Sequence, residues 1–260
     1  MASIYDNWMH DLGKEDDDLA RPQEQAALLS YLNGTTTADE AAHECTKQVT
    51  ESENRSADLF WSLLIDAAKE FPQAHQKLVE LLDVIAQLPA TEKGTARKFG
   101  GNLPNFLFEL HDAFNGIESA SQSSHSTITV EHHYINLCAF IARLWHHQHG
   151  ELTNWAMQLS HNGLEDDHRK PLTNLFGQAV AQLFLFSGPE MYASSNATES
   201  SEYSAGPLLL KERETARVSR WEFWKRRVSQ LKESDLLINE TGESFSKVLD
   251  SMAEVEAKNE

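Results

Sequence analysis

The sequence predicts an all-α fold, and three observations carry that prediction. Apolar residues recur at helical spacing along nearly the whole chain. Punctuation is sparse: seven Pro and twelve Gly in 260 residues, where a β-sandwich or barrel needs a turn every ~8–12 residues. No alternating run is long enough for a strand; residues 126–130 come nearest and are too few. The expected architecture is a single domain of about ten antiparallel-packed helices, an irregular helical bundle or array over 22–258. Short connections of two to six residues suggest the antiparallel neighbours. Ahead of it, 1–21 reads as an acidic flexible N-terminal lead, and flexible inserts are expected at 119–127 and 188–206.

The elements follow in order. A short helix fits 22–32, starting at Pro22 and stopping at Asn33-Gly34. Thr37 and Glu40 form a capping box that opens the next helix, which runs to about Val49. A third helix covers 55–70, with Leu59, Leu63 and Ala67 on one side and Phe60, Leu64 and Phe71 widening the face. Pro72 breaks it and suits the first turn of a fourth, whose Leu78, Leu81, Leu82 and Ile85 face inward to about Leu88-Pro89. A Gly- and Lys-bearing loop at 90–102 leads to a fifth helix over 104–114. The sixth, 129–149, is the most apolar and is expected to be central. Helices over 152–162 and 169–187 follow, then the polar segment 188–206, one long helix over 208–232 and a last one over 240–258.

Composition narrows the function. With 40% hydrophobic residues, twelve Phe and six Trp, the chain can bury a core. A net charge of −18 has the wrong sign for a general nucleic-acid binder. Cys45 and Cys138 lie far apart with no CxxC or Cys/His cluster, so both read as reduced thiols of a cytoplasmic chain. The N-terminus lacks the basic start and apolar stretch of a signal peptide. The charge-free stretch 171–189 carries Asn174, Gln178 and Gln182 down one side, which suits a buried helix and not a transmembrane segment.

Several landmarks occur together: Trp61, Phe71-Pro72, the run from Leu78 to Leu82, Leu88-Pro89, Leu103-Pro104, the block from Asn136 to Leu144, Trp155-Ala156, Trp221-Glu222-Phe223-Trp224 and Met252. In this order they resemble a mostly fungal family of helical proteins carrying a domain of unknown function, over about residues 25–255. Gly101-Asn102 stands where a Trp is often found before the Leu-Pro pair, and Tyr134 where a Trp or similar aromatic precedes the Asn-Leu block. The resemblance implies a helical, intracellular protein and no particular activity.

Two places could bind something. On the predicted central helix, Val130, Tyr134, Leu137, Ile141 and Leu144 make an apolar seam, leaving a narrow polar stripe. Asn136, Phe140, Arg143 and His147 on that stripe form a candidate pocket, with Arg143 as a planar fork for a carboxylate or phosphate and Asn136 orienting it. The bland reading is a solvated face, or Arg143 paired with a neighbouring carboxylate. The second place is the helix over 208–232. Between Lys211 and Lys232, eight basic residues face three acidic ones, a local +5 that leaves −23 for the remainder. Arg217, Arg220, Trp221, Trp224 and Arg227 make it a candidate interaction helix for an acidic partner segment or a lipid headgroup. Against this, the seam of Val218, Trp221, Trp224, Val228 and Leu231 could simply dock into the core.

No chemistry-bearing motif is present: no G-x-S-x-G, no P-loop and no G-x-G-x-x-G after a strand. His146 and His149 lie at i, i+3 without a third ligand at metal-binding spacing, so neither metal nor cofactor is expected. Glu165-Asp166-Asp167 reads as a solvated loop. The leading expectation is a non-catalytic interaction or scaffold protein with a protein partner. The alternative is a small-molecule-binding protein or accessory metabolic enzyme using the stripe of the central helix.

Overall fold

The computed structural model describes all residues except 1–2, 16–19, 52–55, 89–102, 124–126, 148–151, 169, 198–204 and 260. Among the described residues there are twelve α-helices and no strand, so the chain is all-α. They form two compact units, Met1–Ala120 and Ser121–Glu260.

In the first unit the acidic lead is partly helical: α1 covers Ile4–Glu15. Ser3 and Asp6 cap it reciprocally, each backbone amide donating to the other's side chain at 2.8 and 3.0 Å. Tyr5 and Trp8 then place their rings against Phe71 at 4.8 and 5.4 Å, and Met9 is buried. A high acidic density suggested a solvated tail, but three apolar side chains on one face suffice to dock it. The second helix, α2 (Pro22–Leu32), has the predicted bounds. It pairs with α3 (Ala38–Glu51), which starts at the Thr37–Glu40 box.

The core helix of this unit is α4 (Asp58–Glu70), with Phe60, Trp61, Leu63, Leu64 and Ile65 buried. Pro72 opens a 3₁₀ turn, Pro72–Ala74, that leads into α5 (His75–Gln87). Here His75 Nε2 lies 2.8 Å from the Ala68 carbonyl, so this buried ring is satisfied by the backbone. Trp61 donates its indole N–H to the Pro104 carbonyl at 2.8 Å and meets Phe106 edge-on, which fixes the start of α6 (Phe106–Ser121). That helix extends into the insert expected over 119–127. The loop expected over 90–102 lies outside the described residues.

In the second unit, α7 (Ile128–His146) is capped by Thr127, whose hydroxyl accepts from the Val130 amide. The short α8 (Thr153–Ser160) passes into a π-helical turn, His161–Glu165. Next comes α9 (Lys170–Ala197), kinked at Ser187. This helix was expected to end at Ser187, with a polar segment after it. Pro189 sits in the first turn beyond the kink, where its missing N–H is tolerated, and the helix resumes through the first part of 188–206. Burial of Met191 and the contact of Tyr192 with Trp221 at 5.0 Å hold that extension in place.

The long helix expected over 208–232 is two: α10 (Pro207–Arg213) and α11 (Arg220–Lys232). The physical cause is the capping box of Ser219 and Glu222, which starts a new helix where apolar spacing alone reads straight through. Finally, α12 (Asn239–Asn259) buries Phe245, Val248, Met252 and Val255.

Not all neighbours are antiparallel. Tyr134 meets Phe176, the Ala142 carbonyl meets Ser187 and His146 meets Glu190, so α7 and α9 climb in the same direction. Likewise Gln178 meets Thr241 and the Phe184 carbonyl meets Ser251, so α9 and α12 are parallel. The short α8, and α10 with α11, return the chain between them. Gly177 permits the close approach of α12: a Cβ there would stand 3.2 Å from Phe245 and from Thr241.

Candidate functional site

The second unit is organised around a buried charge. Glu165, the last residue of the π turn, is fully buried. Arg220 donates to it through Nε at 2.6 Å and Nη2 at 2.9 Å. Trp224 adds its indole N–H at 2.8 Å, and the Gly206 amide donates at 2.7 Å. Four N–H donors thus converge on one carboxylate, the condition under which a buried ion pair is tolerated. The solvated-loop reading of Glu165 is overturned, although Asp167 beside it is exposed. Because its partners lie on α11 and at the foot of α10, this carboxylate positions both helices.

Between α10 and α11 lies an open groove of about 400 Å³, lined by Leu208, Lys211, Phe223, Arg227, Glu212 and Glu214, among others. Glu212 is engaged by Arg226. Arg227 is half-buried, and its Nε is buried without a hydrogen-bond partner. Burial pulls its pKa down, while Asp167, 3.7 Å from Nη2, pushes it back up. Lys211 is exposed, as are Leu210 on α10 and Arg217 in the turn that follows.

The candidate interaction helix therefore divides. Arg220, Trp221 and Trp224 are buried and serve the core, as the docked-seam reading expects, and Val218, Val228 and Leu231 join them. Arg220 is held by Glu165 and Trp221 by Glu256, to which its indole donates at 2.9 Å. What remains accessible is Arg217, Arg227 and the α10 side of the groove.

The candidate pocket on α7 divides too. Phe140 is fully buried and belongs to the core, because α7 is enclosed on more sides than a one-stripe wheel suggests. Asn136 is half-buried and His147 exposed. Arg143 is half-buried with its guanidinium over the Phe186 ring, Cζ 3.8 Å from the ring centroid. Its Nε is buried without a hydrogen-bond partner, and burial pulls its pKa down. Among the described residues no group of three or more His, Cys, Asp or Glu side chains could hold a metal ion, and His149 lies outside them. No helix among them is long and apolar enough to cross a membrane.

The family model described as a protein of unknown function (DUF3632) matches residues 61–228. The chain belongs to this family. The matched segment opens at Trp61, contains the α7 stripe and the whole Glu165 hub, and closes at Val228 on α11; α12 follows it. No curated protein and no solved structure matches the chain.

Two features of the candidate site escaped the sequence reading. Glu165 gave no local signal, since it stands in an acidic triplet like any solvated one. The groove needs the break between α10 and α11, and the Ser219-x-x-Glu222 signature is its one visible trace.

Proposed function

We propose that this member of the DUF3632 family is a non-catalytic interaction protein that takes an acidic segment of a protein partner into the groove between α10 and α11. The observation that carries the reading is Arg227: a half-buried guanidinium lining an open groove beside apolar Leu208 and Phe223, with Asp167 of the same chain 3.7 Å from its Nη2. A carboxylate reaching it gains a charge-assisted bond while an apolar neighbour covers Phe223. Lys211 and Arg217 supply steering charge in a segment of +5. Both free cysteines are buried, which supports a reducing, cytoplasmic setting.

The test is fluorescence anisotropy on the full chain with a labelled peptide bearing Leu and Phe anchors separated by Glu, against its Gln counterpart. The Glu peptide is expected to bind about tenfold or more tightly, as one charge-assisted bond supplies. Arg227→Gln removes that preference, and Arg217→Gln mainly reduces the salt dependence. Equal affinity for both peptides, or an unaffected Arg227→Gln variant, overturns the reading.

A second reading is favoured by Arg143, which has an aromatic platform and an Nε without a hydrogen-bond partner among the described residues. On it, the α7 stripe receives the carboxylate of a small molecule.

A further inference from the structure

Resting on the groove reading above, we infer that Asp167 sets how strongly the groove between α10 and α11 takes an acidic segment. It is an internal rival for the partner's carboxylate and holds the groove below its full affinity. Lys211 and Arg227 are the cations among the groove's described lining residues. Arg227 already has a carboxylate of its own chain beside it, with Asp167 Oδ1 3.7 Å from Nη2. Asp167 belongs to the connection between the π turn and α9, outside the described lining of the groove. The groove therefore stays open while the charge of Arg227 is partly answered from within the chain.

The buried hub accounts for this placement. Glu165, two residues before Asp167, is fixed by Arg220. Arg220 and Arg227 stand two turns apart on one face of α11, so the face that anchors Glu165 continues to the cation that Asp167 meets. Asp166, between the two acids, meets histidines instead: its Oδ2 lies 3.6 Å from His161 Nε2 and 4.0 Å from His168 Nε2. The contact of Asp167 with Arg227 is loose. At 3.7 Å it exceeds hydrogen-bond length, and the Asp167 side chain is 79% exposed. Such a pair adds little to folding, so its charge acts chiefly on whatever else approaches Arg227. A partner carboxylate arriving at the same guanidinium shares it with Asp167 and is repelled by that like charge. The two side chains feel each other's charge, since Asp167 pushes the Arg227 pKa up against the effect of burial.

The experiment is the anisotropy titration of the full chain with the Glu and Gln peptides, extended to three variants: Asp167→Asn, Asp167→Asn combined with Arg227→Gln, and Asp112→Asn. The last removes an equal charge from the exposed Asp112 on α6 and controls for net charge. Asp167→Asn is expected to bind the Glu peptide about two- to fivefold more tightly than wild type, the size of an exposed ion pair, and the Gln peptide unchanged. With Arg227→Gln present, Asp167→Asn is expected to change neither affinity, because the coupling needs both side chains. Asp112→Asn is expected to have no effect. If the wild type prefers the Glu peptide and Asp167→Asn brings no gain, or Asp112→Asn brings an equal one, the role of Asp167 is overturned and the groove reading stands. If neither the wild type nor Asp167→Asn prefers the Glu peptide, both fall.

Discussion

Replacing Glu165 by Gln probes the feature on which the second unit turns. The variant keeps the shape of the side chain and removes its charge. In the native unit the carboxylate accepts from four N–H donors, two of them on the buried Arg220 guanidinium. A Gln has one acceptor oxygen, and its amide nitrogen would face donors across hydrogen-bond distance. Arg220, 3% exposed, then keeps its positive charge without a counter-ion. Removing one member of a buried pair costs about 3–5 kcal/mol. At about 2–4 °C per kcal/mol for a unit of this size class, the melting temperature should fall by roughly 6–20 °C. Urea denaturation followed by Trp fluorescence is a suitable assay, because Trp224 donates directly to the missing charge. A double variant, Glu165→Leu with Arg220→Met, should recover much of the loss, since it leaves no lone charge in the interior. A single-variant loss below about 1 kcal/mol, or a double variant no better than the single, refutes this account of the hub.

Three further outcomes are expected. Gly206→Ala should destabilise by about 1–3 kcal/mol in the same assay, since the new Cβ would stand 2.5 Å from the Cβ of Glu165 and 3.0 Å from its carbonyl oxygen. Gly116→Ala, inside α6 with nothing within 4 Å of its Cβ, should stabilise by about 0.5–1 kcal/mol. Glu256 is held below the usual carboxylate range, first by its hydrogen bond from Lys225 and also by that from Trp221. A depressed folded-state pKa contributes stability above the unfolded value, which is lost as pH falls through the folded one. Urea midpoints of Glu256→Gln should therefore decline less steeply than wild type on acidification below about pH 4.5, and parallel curves would count against the pairing.

Local patterns made much of the fold legible. The bounds of α2 follow from Pro22 and Asn33-Gly34, and the start of α3 from Thr37 and Glu40, because caps act within one turn. The seam from Val218 to Leu231 is buried as its spacing implies. What misled was also local: the polar residues of 188–206 hid the helical extension that buries Met191, and the acids of 1–21 hid Tyr5, Trp8 and Met9. Of the candidate site residues, Arg143 and Arg227 remain as half-buried cations with unmet donors. Phe140, Arg220, Trp221 and Trp224 went to the interior, since a helical wheel gives the direction of a side chain and not how many helices surround it.

By itself the sequence determined that the chain is all-α and where the capped helices α2 and α3 begin, because propensity, spacing and capping are decided by residues within a turn or two of one another. Only the tertiary structure decided that α7, α9 and α12 run parallel, and that Glu165 and Arg220 meet across 55 positions. It also left Arg143, Glu190 and Arg227 with unanswered hydrogen-bonding atoms. The reason is energetic: the cost of burying a charge depends on the partners that arrive from elsewhere in the chain, and no local pattern encodes them.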